Sequence, residues 1–157
     1  MAKKGLLMGV AVAAVAAGFG GAALWPNNDA AAEGVQITVY KSPTCGCCTA
    51  WEDHMREAGF EVESVLRDNL APVKQRKGVT RELASCHTAV VDGYVVEGHV
   101  PADDVIRMLD ERPDVAGLAV PGMPMGSPGM EGSYKDPYDV IAFDKDGRGY
   151  VYESHNQ

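Results

Sequence analysis

Residues 35–48 read VQITVYKSPTCGCC. Val35 to Tyr40 alternates apolar and polar side chains and is rich in β-formers, which is the pattern of a strand. Ser42-Pro43-Thr44 interrupts it. A helix is expected to open at Cys45 to Cys48 and to run to Ala58, with Gly59 as its stop. Trp51, Met55 and Ala58 recur at i, i+4 and i+7 and form the buried stripe of that helix. A strand that delivers a cysteine motif to the start of a helix decides the reading of the chain.

Working outward, Phe60 to Leu66 reads as a second strand, and residues 69–77 as a short helix weakened by Pro72. Ser85-Cys86-His87-Thr88 leads into a strand at Ala89-Val90-Val91. Asp92-Gly93 is a tight-turn signal, and Tyr94 to Glu97 is the returning strand. Pro101 opens a helix whose first turn carries Asp103 and Asp104, matching the helix dipole. Val105, Ile106 and Leu109 face the core, and Pro113 ends the element. Residues 115–133 are rich in Gly, Pro and Met without regular periodicity and read as a loop. Val140 to Phe143 and Tyr150 to Tyr152 flank Asp144-Lys145-Asp146-Gly147, a terminal hairpin over 138–153. Asp144-x-Asp146-Gly147 is also how a calcium loop begins, but Arg148 and His155 stand where oxygen ligands would be needed. The order β-α-β-α-β-β-α predicts an α/β fold: a thioredoxin-like mixed β-sheet with flanking helices, plus a C-terminal β-hairpin.

Lys3 and Lys4 precede Leu6 to Leu24, a run of 19 residues without a charge, and small residues follow at Ala30 to Ala32. That is the layout of a secretory signal. Residues 1–32 are therefore read as signal peptide and tether, and 33–157 as the domain. The alternative is a retained membrane anchor. Ala and Gly insert weakly, which favours cleavage and a periplasmic location. A cut after Ala32 removes two of the 14 cations and one of the 22 anions, leaving a net charge of −9. An acidic surface argues against nucleic acid as a partner, and a cleaved chain would have no membrane partner.

The four cysteines of an exported chain would by default form two disulfides. Here three of them lie within four residues, and adjacent cysteines rarely bond to each other. Cys45 and Cys48 make a C-x-x-C pair at a helix start. Backbone N–H groups and the dipole there stabilise thiolate, lowering a cysteine pKa from ~8.5 toward ~3.5–7.5. Thiolate is both nucleophile and metal ligand, so the pair could be catalytic in thiol redox chemistry, a structural disulfide, or part of a metal site. Cys47 exceeds what a dithiol motif needs. It could pair with Cys86, or ligate a soft ion such as Cu(I) or borderline Zn(II). Clustered thiolates can also bridge several Cu(I) ions. Cys86 precedes the strand that a thioredoxin-like sheet sets beside the C-x-x-C. His87 is a candidate ligand or an ordinary structural histidine; His54 and His99 rank below it, and His54 reads as a rim residue.

Met123, Met125 and Met130 fall within ten residues of Gly/Pro-rich chain, with no helical stripe to bury them. Thioether sulfur is a soft ligand that suits Cu(I). Met123 and Met125 are therefore candidate ligands on a loop that could fold over the thiolates as a lid or entry route.

Cys45-Gly46-Cys47-Cys48, Ser85-Cys86-His87-Thr88, Gly98-His99-Val100-Pro101-Ala102 and Ala119-Val120-Pro121-Gly122-Met123-Pro124 together resemble the CopG-like family of exported copper-resistance proteins. The resemblance runs from about residue 35 to 153, and the methionine segment fits it too. It implies a thioredoxin-like fold, a periplasmic location, copper bound by the four cysteines, copper redox chemistry as an open question, and other copper-handling proteins as partners. The word copper comes from the resemblance; the residues by themselves indicate a soft metal or thiol redox chemistry. Two other readings stand beside it. One is a thioredoxin-type thiol–disulfide oxidoreductase using Cys45 and Cys48. The other is a domain held by two disulfides or a structural zinc. Thioredoxins set a cis-proline against the C-x-x-C, whereas here no proline directly precedes Ala89 and Ser85-Cys86 takes that neighbourhood, which favours metal binding.

Overall fold

The computed structural model describes residues 32–157, so the expected signal peptide and tether, apart from Ala32, lie outside the described residues. The expected alternation places β1 at Gln36–Lys41, with Ile37, Val39 and Lys41 turned inward. Helix α1 spans Gly46–Glu57 and buries Trp51 and Met55 completely. Strand β2 (Glu61–Leu66) returns parallel to β1, and α2 (Ala71–Arg76) follows. Pro72 does not break α2. It lies in the first turn, where a missing N–H leaves no intrahelical bond unmade.

Strands β3 (Thr88–Val91) and β4 (Tyr94–Glu97) form the predicted hairpin, closed by Asp92 and Gly93, both at positive φ. Helix α3 (Ala102–Glu111) leads to β5 (Gly117–Ala119), parallel to β4. The segment 115–133 is thus not loop throughout: its first part is a strand. The terminal hairpin is β6 (Tyr138–Phe143) and β7 (Gly149–His155), longer than expected at its C-terminal end. At its turn, Asp144 accepts the N–H groups of Asp146 and Arg148, and its other oxygen accepts the Arg148 guanidinium.

All seven strands join one mixed sheet in the order β2-β1-β3-β4-β5-β6-β7. The hairpin therefore extends the sheet instead of packing elsewhere. Alternation along the inner strands feeds two cores. Val96, Leu118 and Ala142 join Trp51, Met55, Val105 and Met108 in the larger one. Val95, Ala119 and Phe143 join Val79 and Leu83 in the smaller one. Among the described residues, no helix is long and apolar enough to cross a membrane.

Candidate metal centre

Cys45 caps α1 in extended conformation, and no side chain occupies the cap. No acidic residue lies in the first turn, so nothing there opposes negative charge on sulfur. A buried ion pair fixes the helix start: Lys41 Nζ lies 2.8 Å from Glu52 Oε2 and donates to Thr49 Oγ1 at 2.7 Å. Ser64 donates to the other Glu52 oxygen at 2.8 Å. Removing either charge would strand the other in the interior.

Cys86 comes from the segment entering β3 and meets this helix start. Its Sγ lies 3.5 Å from Cys48 Sγ and 4.0 Å from Cys47 Sγ, while Cys45 and Cys47 sulfurs are 3.6 Å apart. The four sulfurs lie within 4.8 Å of one another. Cys45 and Cys48 are joined as a disulfide, and Cys47 and Cys86 are free thiols. Only reduction of that disulfide makes all four sulfurs available as thiolates. Burial, and secondly the neighbouring Cys47, push the Cys86 thiol up to about 12.

Both histidines beside Cys86 are completely buried. His87 Nδ1 is 3.3 Å from Cys86 Sγ, its ring packs 4.4 Å from Trp51, and its Nε2 has no hydrogen-bond partner. Burial, then positive charge from His99, Lys74 and Lys41, holds His87 well below the usual histidine range. His99 Nε2 lies 3.0 Å from Cys86 Sγ, and its Nδ1 donates to the Pro128 carbonyl at 2.7 Å. That bond puts the proton on Nδ1 and leaves the Nε2 lone pair facing the sulfur. Burial lowers the His99 pKa, although the Pro128 bond and Glu131 oppose it. Two neutral imidazoles and a thiol make a second potential donor group, Cys86, His87 and His99. The structure sets His99, which the sequence reading ranks below His87, at least as close to Cys86 as His87. His54 is no donor here: its Nε2 accepts the Ala102 N–H and caps α3.

The methionine segment is stitched down on both sides of the sulfurs. At one end Gly122 N–H donates to Ala84 O at 3.1 Å, and Ser85 Oγ donates to the Gly122 carbonyl. At the other end, beyond the Pro128 contact, Gly129 adopts φ +81°, and a Cβ there would come within 2.6 Å of Cys47 O and 2.8 Å of Trp51 N. Met123 is 52% exposed on this arch. Met125 is half-buried, with its methyl against Gly132. The structure therefore gathers Cys45, Cys47, Cys48, Cys86, His87 and His99, and carries Met123 and Met125 on the loop anchored around them.

A family described as Protein of unknown function, DUF411, matches residues 83–130. These include Cys86, both histidines and the methionine segment. No match was found among curated proteins. A solved structure described as Copper resistance protein copG, form 2, is 44% identical with a TM-score of 0.74, across 78% of this chain and 99% of that one. The chain belongs to the CopG family. A second CopG structure, form 1, is 43% identical with a TM-score of 0.74, covering 80% of this chain and all of that one. The CopG likeness thus covers far more of the chain than the segment 83–130 that the family description matches.

Proposed function

We propose that this protein is an exported copper-handling protein of copper resistance, built on a thioredoxin-like frame and holding Cu(I) in a thiolate cluster of Cys45, Cys47, Cys48 and Cys86. The observation that carries the reading is the approach of Cys86 to the helix-opening triplet, which brings four soft donors within 4.8 Å. The family relatives are named for copper resistance. His87 Nδ1 and His99 Nε2, 3.3 Å and 3.0 Å from Cys86 Sγ, are imidazole nitrogens that suit the same soft or borderline ion. Bound metal supplies the positive charge that four adjacent thiolates need. Met123 and Met125 serve entry and exchange of the ion, and clustered sulfurs accommodate more than one copper.

The test is competition between Cu(I) and Zn(II) on the reduced protein under anaerobic conditions. Cu(I) should displace Zn(II) completely. Zinc retained against excess Cu(I) overturns the reading in favour of a structural zinc site. Export is tested separately by mass spectrometry of the mature N-terminus, expected between about residues 23 and 33; intact Met1 in a membrane fraction would indicate an anchor.

A second reading, thiol–disulfide exchange by Cys45 and Cys48, draws on the disulfide between them at a helix N-terminus. Metal-free protein that reduces or oxidises a model disulfide substrate catalytically would favour it. Copper redox turnover at the same sulfurs would show as two Cu(II) ions reduced to Cu(I) for each disulfide formed from two thiols, with release of two protons.

A further inference from the structure

Cys86 is the one cysteine that α1 does not carry, so its segment has to be held against that helix by something else. Glu97 closes β4 and pairs in register with Thr88, which opens β3. The Glu97 carboxylate is completely buried. One oxygen accepts Thr88 Oγ1–H at 2.7 Å. The other accepts the Ser85 backbone N–H at 2.7 Å and the Lys74 ammonium, which α2 supplies. Lys74 also donates to Thr88 Oγ1 at 3.1 Å. Ser85 and Thr88 bracket Cys86 and His87, so one carboxylate grips both ends of the four-residue segment. A further bond, Gly98 N–H to His87 O at 3.1 Å, continues the hairpin ladder through it.

A buried ion pair is a weak device for stability, because apolar residues of similar volume often serve as well. It is a strong device for fixing one geometry, since each donor has a single satisfied arrangement. We propose that the Lys74–Glu97 pair is a positioning clamp for Cys86, setting the approach of its sulfur to Cys48. The clamp rests on the reading that Cys86 shares a sulfur site with the helix cysteines; it does not depend on which ion fills that site.

The test uses the protein with Cys45→Ser and Cys47→Ser, which leaves Cys48 and Cys86. Equilibration with oxidised glutathione forms the Cys48–Cys86 disulfide. The two thiols lose two electrons and two protons, and the oxidant becomes two glutathione thiols. Under native conditions the equilibrium constant reports the effective concentration of one sulfur at the other, apart from global stability. Glu97→Gln should lower it by about tenfold or more, and Thr88→Val by roughly threefold. Leu109→Ala, a core truncation on α3 away from the clamp, should destabilise the fold yet leave the constant within about twofold. If Glu97→Gln fails to fold, Thr88→Val decides. Unchanged constants in the clamp variants, or an equal fall in Leu109→Ala, overturn the proposal. Because this readout uses no metal, failure of Cu(I) binding in the four-cysteine protein would sink the copper reading and leave the clamp standing.

Discussion

Cys86 Sγ stands 3.5 Å from Cys48 Sγ, although 38 positions separate them in the chain. The contact makes Cys86 an equal member of the cluster. Cys86→Ser should therefore weaken Cu(I) nearly as much as Cys45→Ser does, by more than the roughly 10–100-fold that changes outside the ligand sphere cost. The double substitution should lose less than the sum of the two, as expected for groups sharing one ion. Competition with a Cu(I) chelator measures both. Wild-type affinity in Cys86→Ser would confine the metal to the triplet.

The Cys45–Cys48 disulfide leaves two free thiols, Cys47 and Cys86. A thiol assay on unfolded protein should count two before reduction and four after it. Cu(I) uptake should follow the same step. If oxidised and reduced protein take up equal Cu(I) with equal affinity, the helix pair is not part of the site.

With that disulfide in place, burial and Cys47 push the Cys86 thiol up to about 12. Below that value the sulfur carries a proton, which a metal must displace. Raising the pH removes the competitor, so metal affinity rises with pH, by roughly tenfold per unit for each proton released. In weakly buffered solution, metal loading should acidify the medium. Proton release measured by titration calorimetry in buffers of different ionisation enthalpy checks this, and uptake without release would contradict it.

Gly129 lies where a side chain would strike Cys47 O and Trp51 N, at a φ that L-residues rarely adopt. Gly129→Ala should cost about 1–3 kcal/mol in stability, read from urea unfolding. It should also lift the methionine arch from α1 and speed Cu(I) transfer to an external chelator. Met125→Leu should slow or speed exchange without changing stoichiometry. Unchanged transfer rates in both variants would remove the arch from the exchange route.

Much of this arrangement can be read in the sequence, and the misses have identifiable causes. The Trp51/Met55 stripe and the Asp92-Gly93 turn locate α1 and the central hairpin. Strand β5 escapes because Gly117-Leu118-Ala119 is too short to show alternation and both its faces are buried. His99 was recoverable. A two-residue turn at Asp92-Gly93 fixes the register as Val91↔Tyr94 and Thr88↔Glu97. Two more rungs set Cys86 opposite His99. Lys41, Glu52, Lys74 and Glu97 look like solvated surface residues in one dimension, and only the folded sheet reveals that Lys41, Glu52 and Glu97 are buried and Lys74 half-buried, each beside its opposite charge.

Strands β5 and β6 are antiparallel neighbours, joined at Gly117↔Phe143, Leu118↔Ala142 and Ala119↔Ile141. Residues 120–137 leave one and return to the other, so the arch that carries Met123, Met125 and Pro128 is an excursion between adjacent rungs of one ladder. The ladder closes through its own backbone pairs, and the β6–β7 hairpin secures it from the far side. The arch thus departs from and returns to neighbouring strands, so a change in its length need not shift the pairing of β5 with β6, whereas a change at Gly122, Pro128 or Gly129 reaches the sulfur site directly through Ala84, Ser85, His99 and Cys47.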